Sequence, residues 1–87
     1  MQDHYNLLHT IYEIVKSDPQ PERYACRPRE LILRRMQEWS DIQTQLRQLE
    51  TEALVTTEQQ DTLVIRITHA GLLLVKEQQQ AARLNGL

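Results

Sequence analysis

Apolar residues in this chain recur at helical spacing as far as Leu54-Val55. Beyond that point they alternate, with Leu63, Ile65 and Ile67 on one side and Val64, Arg66 and Thr68 on the other. This single change of period confines the fold to helices followed by a hairpin. With 87 residues, 40% of them apolar, there is material for one core and too little for two domains of ordinary size. The expectation is one domain over 1–87, mainly α with a small β-hairpin. Phe is absent, so Leu, Ile and Val must do most of the filling.

Leu7, Leu8, Ile11, Ile14 and Val15, with Tyr12 alongside, form one broad stripe. It assigns helix one to 1–16, its regular part running from about Asp3 to Lys16. Pro19 and Pro21 each fix φ and withhold a donor, so the helix stops before them. Tyr24-Ala25-Cys26 reads as a short strand ahead of Pro28, which suits the first position of a second helix over 28–37. Leu31, Ile32 and Met36 of that helix are expected to face the interior. Ser40-Asp41-Ile42-Gln43 reads as a capping box opening helix three over 40–52, with Ile42, Leu46, Leu49 and Ala53 on one face. The hairpin over 54–68 has the polar tip Glu58-Gln59-Gln60-Asp61, and good helix formers from Ala70 onward give helix four over 70–84. Ten residues should share the core: Leu8, Ile11, Val15, Leu31, Ile42, Leu46, Leu49, Leu54, Ile65 and Ile67.

Ten basic against twelve acidic residues leave a net charge of −2, so any surface for phosphate must be local. The single Cys26 cannot form an internal disulfide, which fits a reducing, cytoplasmic setting. The longest apolar run, Ala70 to Val75, is far too short to span a bilayer, and the first residues lack a basic region followed by an apolar stretch. Neither membrane insertion nor secretion is expected. His4, His9 and His69 have no metal-binding spacing, Ser17 and Ser40 fall in a loop and a cap, and Gly71 and Gly86 build no phosphate loop. No cofactor, no metal and no catalytic centre are expected; the chain reads as a binding module rather than an enzyme.

Three stretches carry a family likeness: Glu30-Leu31, then Leu49-Glu50-Thr51-Glu52-Ala53-Leu54-Val55, then Ile65-Arg66-Ile67-Thr68-His69-Ala70-Gly71. Together with the element order they resemble winged helix-turn-helix transcription regulators of the MarR and PadR type. There a Glu-Leu opens helix two, a Leu-Glu-x-x-Gly-Leu-Val ends the recognition helix, and Leu-Thr-x-x-Gly follows the wing. The resemblance implies a three-helix core, a wing at 54–68, a C-terminal helix, and duplex DNA as partner with helix three in the major groove. Ala53 stands where the family usually has glycine, and Arg27 where it commonly has a Ser or Thr cap. The tip Glu58 to Asp61 lacks the basic residue that commonly touches DNA.

A rotation of about 100° per residue puts Thr44, Arg47, Gln48 and Thr51 on the side of helix three opposite its core face. Arg and Gln suit base recognition through paired hydrogen bonds, and the alternative is an ordinary solvated face. Five arginines, Arg23, Arg27, Arg29, Arg34 and Arg35, cluster near helix two. Arg29, Arg34 and Arg35 are the candidates for phosphate contact, the alternative being ion pairs with acids such as Glu30 and Glu38. Trp39 reads as the lid of the core. Leu72-Leu73-Leu74-Val75 is apolar around more of a helix than one small core covers, which suggests a homodimer through the terminal helices. The rival to DNA binding is a protein-interaction module on the same fold, favoured by the acidic tip and the negative net charge.

Overall fold

The computed structural model describes residues 3–85. Four helices and one two-stranded antiparallel hairpin make it up: α1 (Asp3–Val15), a 3-10 turn (Pro21–Arg23), α2 (Pro28–Arg35), α3 (Trp39–Thr51), β1 (Val55–Gln59), β2 (Leu63–Ile67) and α4 (His69–Asn85). The expected start of helix one at residues 1 and 2 lies outside the described residues. All ten residues assigned to the core are buried there, joined by Leu7, Cys26, Val55, Leu72 and Val75. Trp39 packs half-buried against them.

Helix α1 lies across α2, α3 and α4, and its stripe of Leu7, Leu8, Ile11 and Val15 is the centre of the apolar cluster. In the hairpin Val55 pairs with Ile67 and Gln59 with Leu63. Cys26 adds one bridge to β2, its N–H and carbonyl both bonded to Ile65 (2.9 and 2.8 Å), so the expected third strand is reduced to a single residue. Val64 is buried as well as Ile65, against simple alternation, and the turn Pro21–Arg23 packs near β2.

Helix α2 ends at Arg35, not Gln37, because Met36 takes a left-handed conformation (φ 54°) while its N–H still reaches Ile32 O. Only Leu31 of α2 is buried. Ile32 and Met36 do not face the interior as expected: they are 38% and 88% exposed, and Leu33 is 65% exposed. An eight-residue helix has barely two turns, so spacing alone could not choose among three consecutive apolar side chains.

The capping box does not form either. Helix α3 starts one residue earlier, at Trp39, with Glu38 as N-cap and no side-chain cap, so Ser40 already lies inside the first turn. Backbone bonds from Asp41 and Ile42 to Glu38 O close that turn. At the other end Ala53 adopts φ 60° although it is not glycine, and it is exposed rather than on the core face. Its N–H bonds Glu50 O and that of Leu54 bonds Leu49 O, both at 2.9 Å, which is the Schellman pattern that satisfies orphan carbonyls at a helix end.

That end is tied to α4. Thr68 donates its hydroxyl to Ala53 O (2.8 Å), receives the N–H of Gly71 (3.0 Å), and sends its own N–H to Leu54 O (3.1 Å). It thereby caps α4, which begins at His69. Gly71 is required by proximity: a Cβ there would stand 2.3 Å from Leu54 O and 2.8 Å from a side-chain carbon of Ile67. Leu72 and Val75 are buried within the chain and Leu74 packs against the core, leaving Leu73 (46% exposed) as the outward leucine. Most of the apolar excess that suggested a homodimer is thus absorbed internally. Among the described residues no helix is long and apolar enough to cross a membrane.

Candidate nucleic-acid interface

Because Ile42, Leu46 and Leu49 turn one side of α3 into the core, helical geometry forces Thr44, Arg47, Gln48 and Thr51 outward, and all four are exposed. The two threonines bond within the helix, Thr44 to Ser40 O (3.1 Å) and Thr51 to Arg47 O (2.9 Å), which fixes their hydroxyls along the backbone. Arg47 and Gln48 make no side-chain hydrogen bond among the described residues.

Two acids flank this face, and both accept hydrogen bonds within the fold. Glu50 Oε1 accepts the Thr57 hydroxyl (2.7 Å), which turns it toward β1. Glu52 is held on α1, where Oε1 accepts the Tyr5 hydroxyl (2.5 Å) and Oε2 accepts from His4 Nε2 (2.7 Å). The Tyr5 hydroxyl, and after it His4, keep the Glu52 carboxyl below its ordinary value, while the same contact raises Tyr5. The partnership across 47 and 48 residues of sequence carries no local signal, so reading the sequence could not find it.

Arginines near α2 divide between its two flanks. Arg35 is half-buried, its guanidinium within 3.3 Å of both Thr10 of α1 and Gln37. Arg34 is exposed beside Ile14, Tyr24 and Leu33. Arg29, also exposed, lies on the hairpin side with Pro28, Ile32 and Thr62, and Arg27 there donates to Thr62 Oγ1 (2.8 Å). None of the five arginines between 23 and 35 is within ion-pair distance of a carboxylate among the described residues, so the pairs with Glu30 and Glu38 do not form. Glu30 turns inward instead, toward the Tyr24 hydroxyl (3.1 Å) and the Cys26 thiol. Burial and that carboxylate push the thiol up to about 12, so Cys26 is an inert core residue.

Arg29 and Arg47 are joined by a continuous surface. Arg47 lines a depression of about 170 Å³ with Gln43, Leu46, Glu50, Thr57 and Leu63, so one carboxylate stands beside it. Gln43 and Leu63 also line a groove of about 530 Å³ with Pro28, Ile32 and Trp39. Pro28 and Ile32 continue into one of about 340 Å³ that ends at Arg27 and Arg29. The structure therefore brings Arg47 and Arg29 to opposite ends of one connected surface, keeps Thr44, Gln48 and Thr51 exposed on α3, and leaves Arg34 and Arg35 on the α1 side. It also shows an apolar groove that sequence reasoning missed; the run Leu31-Ile32-Leu33, which spans more of a helix than one core can cover, was its signal.

The hairpin tip adds no cation, since Arg66 further down β2 pairs with Glu58 at 3.0 Å. No cluster of metal-ligating side chains occurs among the described residues. Comparison with protein-family models, curated proteins and solved structures gives no significant match to this chain.

Proposed function

We propose that this chain is a winged helix-turn-helix domain that binds duplex DNA, serving as a small transcription regulator or accessory DNA-binding protein in the cytoplasm. The observation that carries the reading is the outward face of α3, where Thr44, Arg47, Gln48 and Thr51 stand exposed while the Glu50 carboxylate accepts from Thr57 and that of Glu52 is held by Tyr5 and His4. In the major groove Arg47 would read guanine and Gln48 adenine through paired hydrogen bonds. Arg29 would hold a phosphate, fixing register without reading sequence. Support comes from the order helix, bridging residue, two helices, hairpin and helix, which is the order that the resemblance implies. The absence of a catalytic constellation in the sequence supports a binding role.

Titration of the purified domain against a pool of random duplexes tests the reading. With Arg29 as the named phosphate contact, the logarithm of affinity should fall only shallowly with the logarithm of salt, at a slope of about −1 for each phosphate neutralised. No binding at low ionic strength would remove the proposal. A protein-interaction role is the second reading, and the apolar groove between α2 and the hairpin favours it. A homodimer through α4 retains only Leu73 as its motive.

A further inference from the structure

The groove between α2 and the hairpin has a floor and a rim of different chemistry. Pro28, Ile32, Leu33, Trp39 and Leu63 form an apolar floor in two connected parts of about 340 and 530 Å³. Arg27 and Arg29 stand at one end, Gln43 and Gln59 at the other, and no carboxylate lines either part. The Arg27 guanidinium is already positioned by Thr62 Oγ1 and the Thr62 carbonyl, so little freedom remains to be lost when it meets a ligand. Arg29 is exposed and has no carboxylate partner among the described residues.

We propose that this groove docks an acidic amphipathic peptide segment of a partner protein, its bulky apolar side chains seated on Ile32, Leu33 and Trp39 and its carboxylates on Arg27 and Arg29. Charge complementarity selects this occupant. Arginine forks match carboxylates in pairs of hydrogen bonds, and an apolar floor of this length needs apolar side chains to cover it. Duplex DNA satisfies the rim and leaves the floor unmatched. A second copy of the chain fits poorly: beyond α2 and Met36 at its end, the exposed large apolar side chain among the described residues is the single Leu73, too little to cover a floor of several apolar side chains. Because Arg29 also belongs to the proposed DNA surface, a docked acidic segment would compete with duplex for that residue.

Panning the full chain against displayed random peptides of about a dozen residues, then measuring the enriched peptides by fluorescence anisotropy and amide chemical shifts, tests the proposal. Enriched sequences should combine two or more large apolar residues with Asp or Glu, and should shift amides of residues 29–33, 39 and 63. Arg29→Glu and Leu33→Asp, both at exposed positions, should each weaken binding about tenfold with unchanged circular dichroism. No enrichment, basic enriched peptides, shifts elsewhere, or binding by either variant as tight as by the wild type would overturn it. The DNA reading is tested separately on α3 variants that leave this floor intact, so failure of one is distinguishable from failure of the other.

Discussion

Thr68 makes three hydrogen bonds that lock the end of α3, the hairpin and the start of α4 together, and Gly71 beside it has no room for a methyl group. Helix α2, by contrast, buries one side chain and leaves Ile32 and Leu33 in solvent, with Met36 exposed just past its end. The junction is shaped by what the fold needs. Nothing in the fold requires the exposed side of α2 to be apolar. Substitutions should therefore be costly for stability in the first region and nearly silent in the second.

Gly71→Ala should have the largest effect, a loss of about 3 kcal/mol in urea unfolding, because the new Cβ collides with backbone that cannot step aside. A loss under 1 kcal/mol would mean that α4 can shift, and the contrast would weaken. Ala53→Gly should act in the opposite direction, raising stability by about 1 kcal/mol, since glycine adopts the observed left-handed conformation without a Cβ penalty. Unchanged stability would show that the Schellman end relaxes in solution. On α2, Leu33→Ser should stay within about 0.5 kcal/mol of the wild type; a larger loss would place Leu33 in the fold's own packing.

The smallest effect should come from the Glu52 clasp. Its carboxyl, held below the ordinary 4.5 by Tyr5 and then His4, contributes stability that is present above that pH and lost as pH falls through the lowered value. Tyr5 is raised above its ordinary 10.0, so its share is present below pH 10.0 and lost as pH rises beyond it. Thermal unfolding of Glu52→Gln and wild type should therefore differ at neutral pH and converge in acid. Parallel curves throughout would remove the clasp from the account.

The change of period at Leu54-Val55 made the helices, the hairpin and all ten proposed core residues legible, because burial on one face imposes a pattern that survives in a single sequence. The outward placement of Thr44, Arg47, Gln48 and Thr51 followed from the same geometry. Helix ends were harder to read. Met36 and Ala53 take left-handed conformations that their residue types do not advertise, and Ser40-Gln43 has the composition of a cap without its geometry. The arrangement of the arginines depended on which face of α2 meets α1. The Glu52 contacts with His4 and Tyr5 depended on packing between distant helices, which local patterning does not encode.

The most direct test of DNA recognition by α3 is a binding titration of wild type, Arg47→Ala, Arg29→Ala and Arg34→Ala against a duplex selected for tight binding and against random duplex. A side chain that reads a base contributes to the selected sequence and little to the rest, whereas one on phosphate contributes to both. Arg47→Ala should weaken the selected duplex by roughly tenfold or more while barely affecting the random one, the loss of one good paired contact to a base. Arg29→Ala should weaken both alike, and Arg34→Ala, on the α1 side, should change neither. Equal losses on both duplexes for Arg47→Ala, or none on either, would contradict base reading by α3.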